Sequence, residues 1–129
     1  MLIVIDASAL AEVIARTDRA GPVERAFAGH QLLAPDLINA QVLSVLRRWA
    51  RHSVITPENA RQAVRNLLTA PVRRFTTDAL ITTMWSLGDR VAPYTGAYMA
   101  LARWVGCPLL TLDERLTRSP DLGIALLSV

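Results

Sequence analysis

The sequence predicts an α/β protein, a mostly parallel sheet with helices packed on both faces. Three observations lead there. The run Leu2-Ile3-Val4-Ile5 is aliphatic and β-branched without alternation, as in a strand covered on both sides. A second such run, Pro108-Leu109-Leu110-Thr111-Leu112, lies near the other end. Between them, short apolar runs alternate with segments whose apolar residues recur every three or four positions, the rhythm of successive βαβ units.

Each element has its own signal. Asp6-Ala7-Ser8 follows the first strand and leads into a helix with Leu10, Val13 and Ile14 at helical spacing. Gly21 to Ala28 reads as a second helix, with Pro22 near its start, where a missing N–H is harmless. Leu32-Leu33-Ala34 is a short second strand, closed by Pro35. From Asp36 to Arg51 the stripe Ile38, Val42, Val45, Leu46 and Trp49 is the clearest helical pattern in the chain. Thr56-Pro57-Glu58 supplies an N-cap, a proline at the first helical position and an acid in the first turn of a helix reaching about Leu68. Val72 to Thr76 is a weak third strand, and Thr77-Asp78 is expected to cap a helix running to about Asp89. A helix from Gly96 to Val105 feeds the strand that ends at Asp113, and Ile124 to Val129 forms a final strand. With 129 residues and no repeat, linker or low-complexity stretch, a single domain over 1–129 is expected.

Composition narrows the function. Hydrophobic residues make up 52% and charged residues only 19%, and the mean hydropathy is +0.30. Disorder is excluded, and the apolar excess suggests interfaces with partners. All 14 basic residues are arginine, against 11 acids, for a net charge of +3. The missing lysine excludes a Walker-A nucleotide site and any Schiff-base chemistry. Receiver domains and haloacid-dehalogenase phosphatases also open on a strand ending in Asp, but both need an active-site lysine. Cys107 stands alone, and His30 and His52 have no metal-ligand spacing, so a reducing cytoplasm is the expected setting. The opening MLIVIDASAL lacks a basic segment and meets a carboxylate at position 6, unlike a signal peptide. No apolar run approaches the ~18–20 residues of a membrane span.

In open parallel sheets, ligands collect outside the carboxyl ends of the strands. Asp6 and Asp113 fall at two such ends. On neighbouring strands they would face each other, a repulsion that a cation or a shared proton must offset. Oxygen donors of this kind suit Mg²⁺ or Mn²⁺. Asp is also a preferred N-cap, and both residues precede helices, so both roles stay open. Ser8 is either a helix cap or a partner of the acid or of a phosphate. Glu12 either assists the acids or lies on a solvated helix face.

Four motifs in order carry a family resemblance. They are Val4-Ile5-Asp6-Ala7-Ser8-Ala9-Leu10; Ala34-Pro35-Asp36-Leu37 with Val42-Leu43 and Leu46-Arg47-Arg48; Tyr94 with Ala97-Tyr98-Met99-Ala100-Leu101-Ala102; and Leu109-Leu110-Thr111-Leu112-Asp113-Glu114-Arg115-Leu116. The chain resembles the PIN-domain ribonucleases, and among them the VapC-like toxins of bacterial type II toxin–antitoxin pairs. The resemblance implies a PIN-like three-layer α/β/α sandwich whose acids hold Mg²⁺ or Mn²⁺ and cleave single-stranded regions of RNA. Asp6 and Asp113 map onto two of the family's catalytic, metal-holding acids. A cognate antitoxin and a homodimer are implied as partners, with operator DNA met only through the antitoxin.

The chain departs from that pattern twice. Gln41 stands in place of the family's glutamate, and Thr95 in place of its third aspartate. Glutamine keeps a carbonyl oxygen but loses the charge. Threonine keeps a hydroxyl and can cap the helix that Gly96 opens. Metal binding is therefore expected to be weakened and to lean on RNA phosphates. Two readings follow: a toxin nuclease of reduced activity, or a catalytically inactive PIN-fold binding protein acting through the antitoxin and operator DNA. Arg47, Arg48 and Arg51 form either an RNA-tracking rim or a solvated face. Trp49, Trp85 and Trp104 read as core or interface residues.

Overall fold

The computed structural model describes residues 1–118 and 123–129. Five strands form one sheet: β1 (Leu2–Ile5), β2 (Gln31–Pro35), β3 (Val72–Phe75), β4 (Leu109–Leu110) and β5 (Leu126–Leu127). Their order is β3-β2-β1-β4-β5, and every pairing is parallel. The order reverses between β1 and β4, the switch point where such sheets open a crevice for ligands. Ile5 pairs with Leu110, so Asp6 and the segment leading to Asp113 leave the sheet side by side.

Seven helices are seen among the described residues: α1 (Ala7–Ile14), α2 (Ala20–Phe27), α3 (Ile38–Arg51), α4 (Pro57–Thr69), α5 (Ile81–Ser86), α6 (Pro93–Val105) and α7 (Glu114–Thr117). They flank the sheet, giving the expected three-layer α/β/α arrangement. The unbroken aliphatic β1 is buried from Ile3 to Ile5, and the two-sided cover follows from its lack of alternation. Helix α6, buried without a break from Gly96 to Ala102, packs against β1, β2 and β4. Helix α1 packs with α2, α3 and α4. The expected stripe on α3 buries Ile38, Val42 and Leu46. On α4, Thr56 Oγ1 accepts the Asn59 N–H at 3.0 Å, the expected cap. No helix among the described residues is long and apolar enough to cross a membrane.

Several expectations need correction. The helix expected from Thr77-Asp78 to Asp89 is broken into a 3₁₀ turn at Asp78–Leu80, the short α5, and a second 3₁₀ turn at Gly88–Arg90. Thr77 already has helical backbone angles, so its hydroxyl caps nothing, and Gly88 at φ +63° interrupts the helix. Helix α6 starts at Pro93 rather than Gly96, because Pro93 fits the first helical position. Thr95 therefore sits inside its first turn and is not its cap. Strand β4 spans two residues rather than five, since the Leu112 N–H bonds the Ser8 hydroxyl instead of a strand. Strand β5 spans Leu126–Leu127 rather than 124–129, in register with Leu109 and Leu110. Of the three tryptophans expected in core or interface, Trp49 packs against the core, while Trp85 and Trp104, 86% and 63% exposed, keep only the interface alternative.

Candidate metal centre

Asp6 ends β1 and begins α1. Its backbone N–H donates to Leu110 O across the switch point. Its carboxylate Oδ1 accepts from the Ala9 N–H at 3.1 Å and the Ser8 hydroxyl at 2.6 Å, and Oδ2 accepts from the Thr111 hydroxyl at 2.5 Å. Asp6 is therefore the cap of α1 while also lining a pocket, so its two expected roles coexist. Ser8 caps nothing; it orients Asp6 and accepts the Leu112 N–H at 3.0 Å. Burial pushes the Asp6 carboxyl above the usual range, the three donors pull it back, and the nearby Asp113 charge pushes it up again.

Asp113 follows β4 and caps α7, its Oδ1 accepting the Arg115 N–H at 3.0 Å. The Arg115 side chain grips the same carboxylate twice, Nε to Oδ1 at 3.1 Å and Nη2 to Oδ2 at 3.0 Å. That guanidinium holds the Asp113 carboxyl below the usual range. Thr111 joins the two acids. Its hydroxyl donates to Asp6 and accepts the Asp113 N–H at 3.0 Å.

Both acids line one cavity of about 510 Å³ above the switch point, together with Ser8, Gln41, Thr95, Tyr98 and Arg48. The site positions expected from sequence thus line one cavity, with three exceptions. Arg47 and Arg51 are exposed and do not line it, whereas Arg48, one turn beyond Ser44 on α3, does. Glu12 is buried rather than solvated and lies outside the cavity lining, where its carboxylate accepts from the Thr17 hydroxyl. Gln41 Oε1 accepts the Tyr98 hydroxyl at 2.5 Å, so Gln41 does bond to a neighbour. Burial, and then the Asp6 charge, push the Tyr98 phenol far above its ordinary value, which keeps it a donor.

The sequence reading missed the roles of Thr111, Tyr98 and Arg115. A usable signal existed for the first two. A hydroxyl inside an apolar buried strand or helix must find a partner, and the acids at the strand ends are near.

The charged residues lining the cavity are two carboxylates and two guanidiniums. Among the described residues no cluster of three His, Cys, Asp or Glu side chains could hold a metal. No buried side-chain polar atom there lacks a partner. Even so, the donor chemistry fits a hard divalent ion taken with few protein ligands. A carboxylate has about four lone-pair sites, and three are taken at each acid, leaving Oδ2 of each with one to spare. Mg²⁺ is commonly held by one or two carboxylates, completed by water and substrate phosphate.

The strand order and the acid-lined switch point define a PIN-like α/β nuclease fold, and solved structures share its architecture. The DNA-bound VapBC of Salmonella typhimurium superposes with a TM-score of 0.68 at 14% identity, over 99% of this chain and 98% of that one. VapC20 of Mycobacterium tuberculosis, a toxin that cleaves the sarcin–ricin loop, gives 0.64 at 18% identity over 93% and 98%. No model of a protein family matches the sequence. Among curated proteins, Ribonuclease VapC3 of Mycobacterium tuberculosis is 36% identical over 118 residues, 91% of this chain and 86% of the relative. Ribonuclease VapC12 of the same species is 32% identical over 118 residues, 92% of each. The chain belongs to the VapC ribonuclease family.

Proposed function

We propose that this chain is the toxin of a type II toxin–antitoxin pair, an endoribonuclease that cuts single-stranded regions of RNA with Mg²⁺ or Mn²⁺. The observation that carries the reading is the shared pocket of Asp6 and Asp113 at the switch point, in a chain akin to named ribonucleases. Asp6 and Asp113 would hold the ion, with neutral oxygens from Gln41 and Thr95 in place of two charges. When bound, such an ion lowers the pKa of a water and offsets charge building on the scissile phosphate. The chain's own residues prepare the site. Ser8, Ala9 and Thr111 fix the plane of the Asp6 carboxylate, Tyr98 holds the Gln41 amide, and Arg48 offers a guanidinium to a phosphate in the cavity.

The partners belong to the same proposal: a cognate antitoxin whose C-terminal segment lies near the pocket, a homodimer, and operator DNA contacted through the antitoxin, all in the cytoplasm. Support comes from structural neighbours that are VapBC assemblies on DNA, and from the exposed Trp85 and Trp104.

A second reading is a PIN-fold binding protein that no longer cuts. It is favoured by the uncharged Gln41 and Thr95, and by the absence of a third acid at the site among the described residues. One experiment separates the two. The pure protein is incubated with single-stranded RNA and Mn²⁺ or Mg²⁺, beside an Asp6→Asn variant. Cleavage that the substitution removes supports the nuclease; no cleavage at any metal concentration supports the binding protein.

A further inference from the structure

The Arg115–Asp113 pair has an asymmetry. The Arg115 side chain is 90% exposed while that of Asp113 is 23% exposed, so the guanidinium covers the acid from the solvent side. Its fork takes one N–H bond to each carboxylate oxygen. A cation approaching the remaining lone pair on Oδ2 meets the guanidinium 3.0 Å from that oxygen. A phosphodiester meets the opposite: a planar cation presented outward, whose fork matches two phosphate oxygens as well as two carboxylate oxygens.

We propose that Arg115 is a positioning residue that masks Asp113 in the free protein and moves onto an RNA phosphodiester, opening Asp113 further to the divalent ion when RNA occupies the pocket. In the exchange a phosphate takes the place of the Asp113 carboxylate on the guanidinium, and nothing covalent changes. RNA and metal then bind with positive coupling, and the coupling is reciprocal. Because the pair is solvent-exposed and screened, the effect is modest, about two- to fivefold in metal affinity. The inference rests on the metal-dependent reading above.

The test counts free Mn²⁺ by its electron paramagnetic resonance signal, so it does not depend on cleavage. Titrations use the full chain with and without a short 2′-O-methyl oligoribonucleotide. Arg115→Ala is expected to raise Mn²⁺ affinity about two- to fivefold without the oligonucleotide, and to lose most of the gain the parent shows on adding it. Arg115→Lys keeps the charge but not the fork and is expected to fall between. Arg118→Ala, which removes a nearby exposed charge bonded to Glu114 and not to Asp113, is expected to leave the oligonucleotide's effect in place. Mn²⁺ binding that Asp113→Asn abolishes but Arg115→Ala does not strengthen would overturn the mask alone. An equal gain in Arg118→Ala and Arg115→Ala would also overturn it, leaving only general charge. Absence of Mn²⁺ binding in every form would overturn both the mask and the metal-dependent reading.

Discussion

Asp6 and Asp113 are the same residue type, each caps a helix, and each leaves an adjacent parallel strand, yet their surroundings are opposite. Asp6 is buried and bonded to neutral donors, so burial raises its carboxyl. Asp113 lies nearer solvent and is bonded to a guanidinium, which lowers its carboxyl. One acid is fixed because three donors, two from α1 and one from the β4 exit, surround it. The other is held by one residue, Arg115, through its backbone N–H and its exposed guanidinium. Under the proposed mask, the pocket is completed when RNA draws Arg115 away from the second acid.

The largest expected effect removes the fixed acid. Asp6→Asn should lower RNA cleavage by more than about a hundredfold, since even residues that merely orient a metal ligand are worth about 10–100-fold. Gel assays over a metal titration check this, and cleavage within threefold of the parent would move the chemistry elsewhere. Next comes restoring the lost charges. Gln41→Glu with Thr95→Asp should tighten Mn²⁺ binding by about tenfold or more, because affinity follows the number of charged oxygen ligands. Tyr98 can still donate to a carboxylate at position 41, so the change asks little of the surrounding structure. Calorimetry showing no gain would mean that these positions do not serve the ion. A smaller effect, about tenfold, is expected for Thr111→Val. It keeps the shape but removes the hydroxyl that donates to Asp6 and accepts from the Asp113 N–H. Cleavage equal to the parent would show that Ser8 and Ala9 suffice to fix Asp6.

Most of this architecture was legible in the sequence where burial alone decides. The continuous β1 run, the α3 stripe and the Thr56-Pro57-Glu58 start are local signals, and each produced the expected element. Two apolar runs that end in Asp do not by themselves set β1 beside β4; the parallel pairing of Ile5 with Leu110 does. The sequence misled where long-range contacts override local pattern. Strand β4 ends after Leu110 because Ser8, more than a hundred residues away in sequence, takes the next amide but one. The segment 77–90 is broken by backbone conformation at Thr77 and Gly88, which residue type alone does not reveal. At the site, residue identities gave the acids and their neutral substitutes. Which side chain would bond Asp113 depended on the α7 turn folding Arg115 back over it, two residues away.

The last test sets the two acids against each other through stability, in the presence of a chelator. Burial raises the folded-state carboxyl of Asp6 above its unfolded value of 3.8. Between those values the folded protein keeps a proton that the unfolded chain has released. Stability therefore falls as pH climbs through that window and stays lower above it. Asp6→Asn removes this penalty while its amide oxygen still accepts from Ser8 and Ala9. The variant should be more stable than the parent at neutral pH, as expected when a functional group held at a cost is neutralised. Asp113 has the other sign. Its folded-state carboxyl lies below 3.8, so its contribution is present above that value and is lost as pH falls through the folded one. Asp113→Asn should weaken the protein slightly at neutral pH and flatten its acid limb. Urea unfolding from pH 3 to about 7.5 reads both slopes. An Asp6→Asn variant less stable than the parent at neutral pH would mean that the donors from Ser8, Ala9 and Thr111 outweigh burial, and that the contrast between the two acids lies in exposure alone.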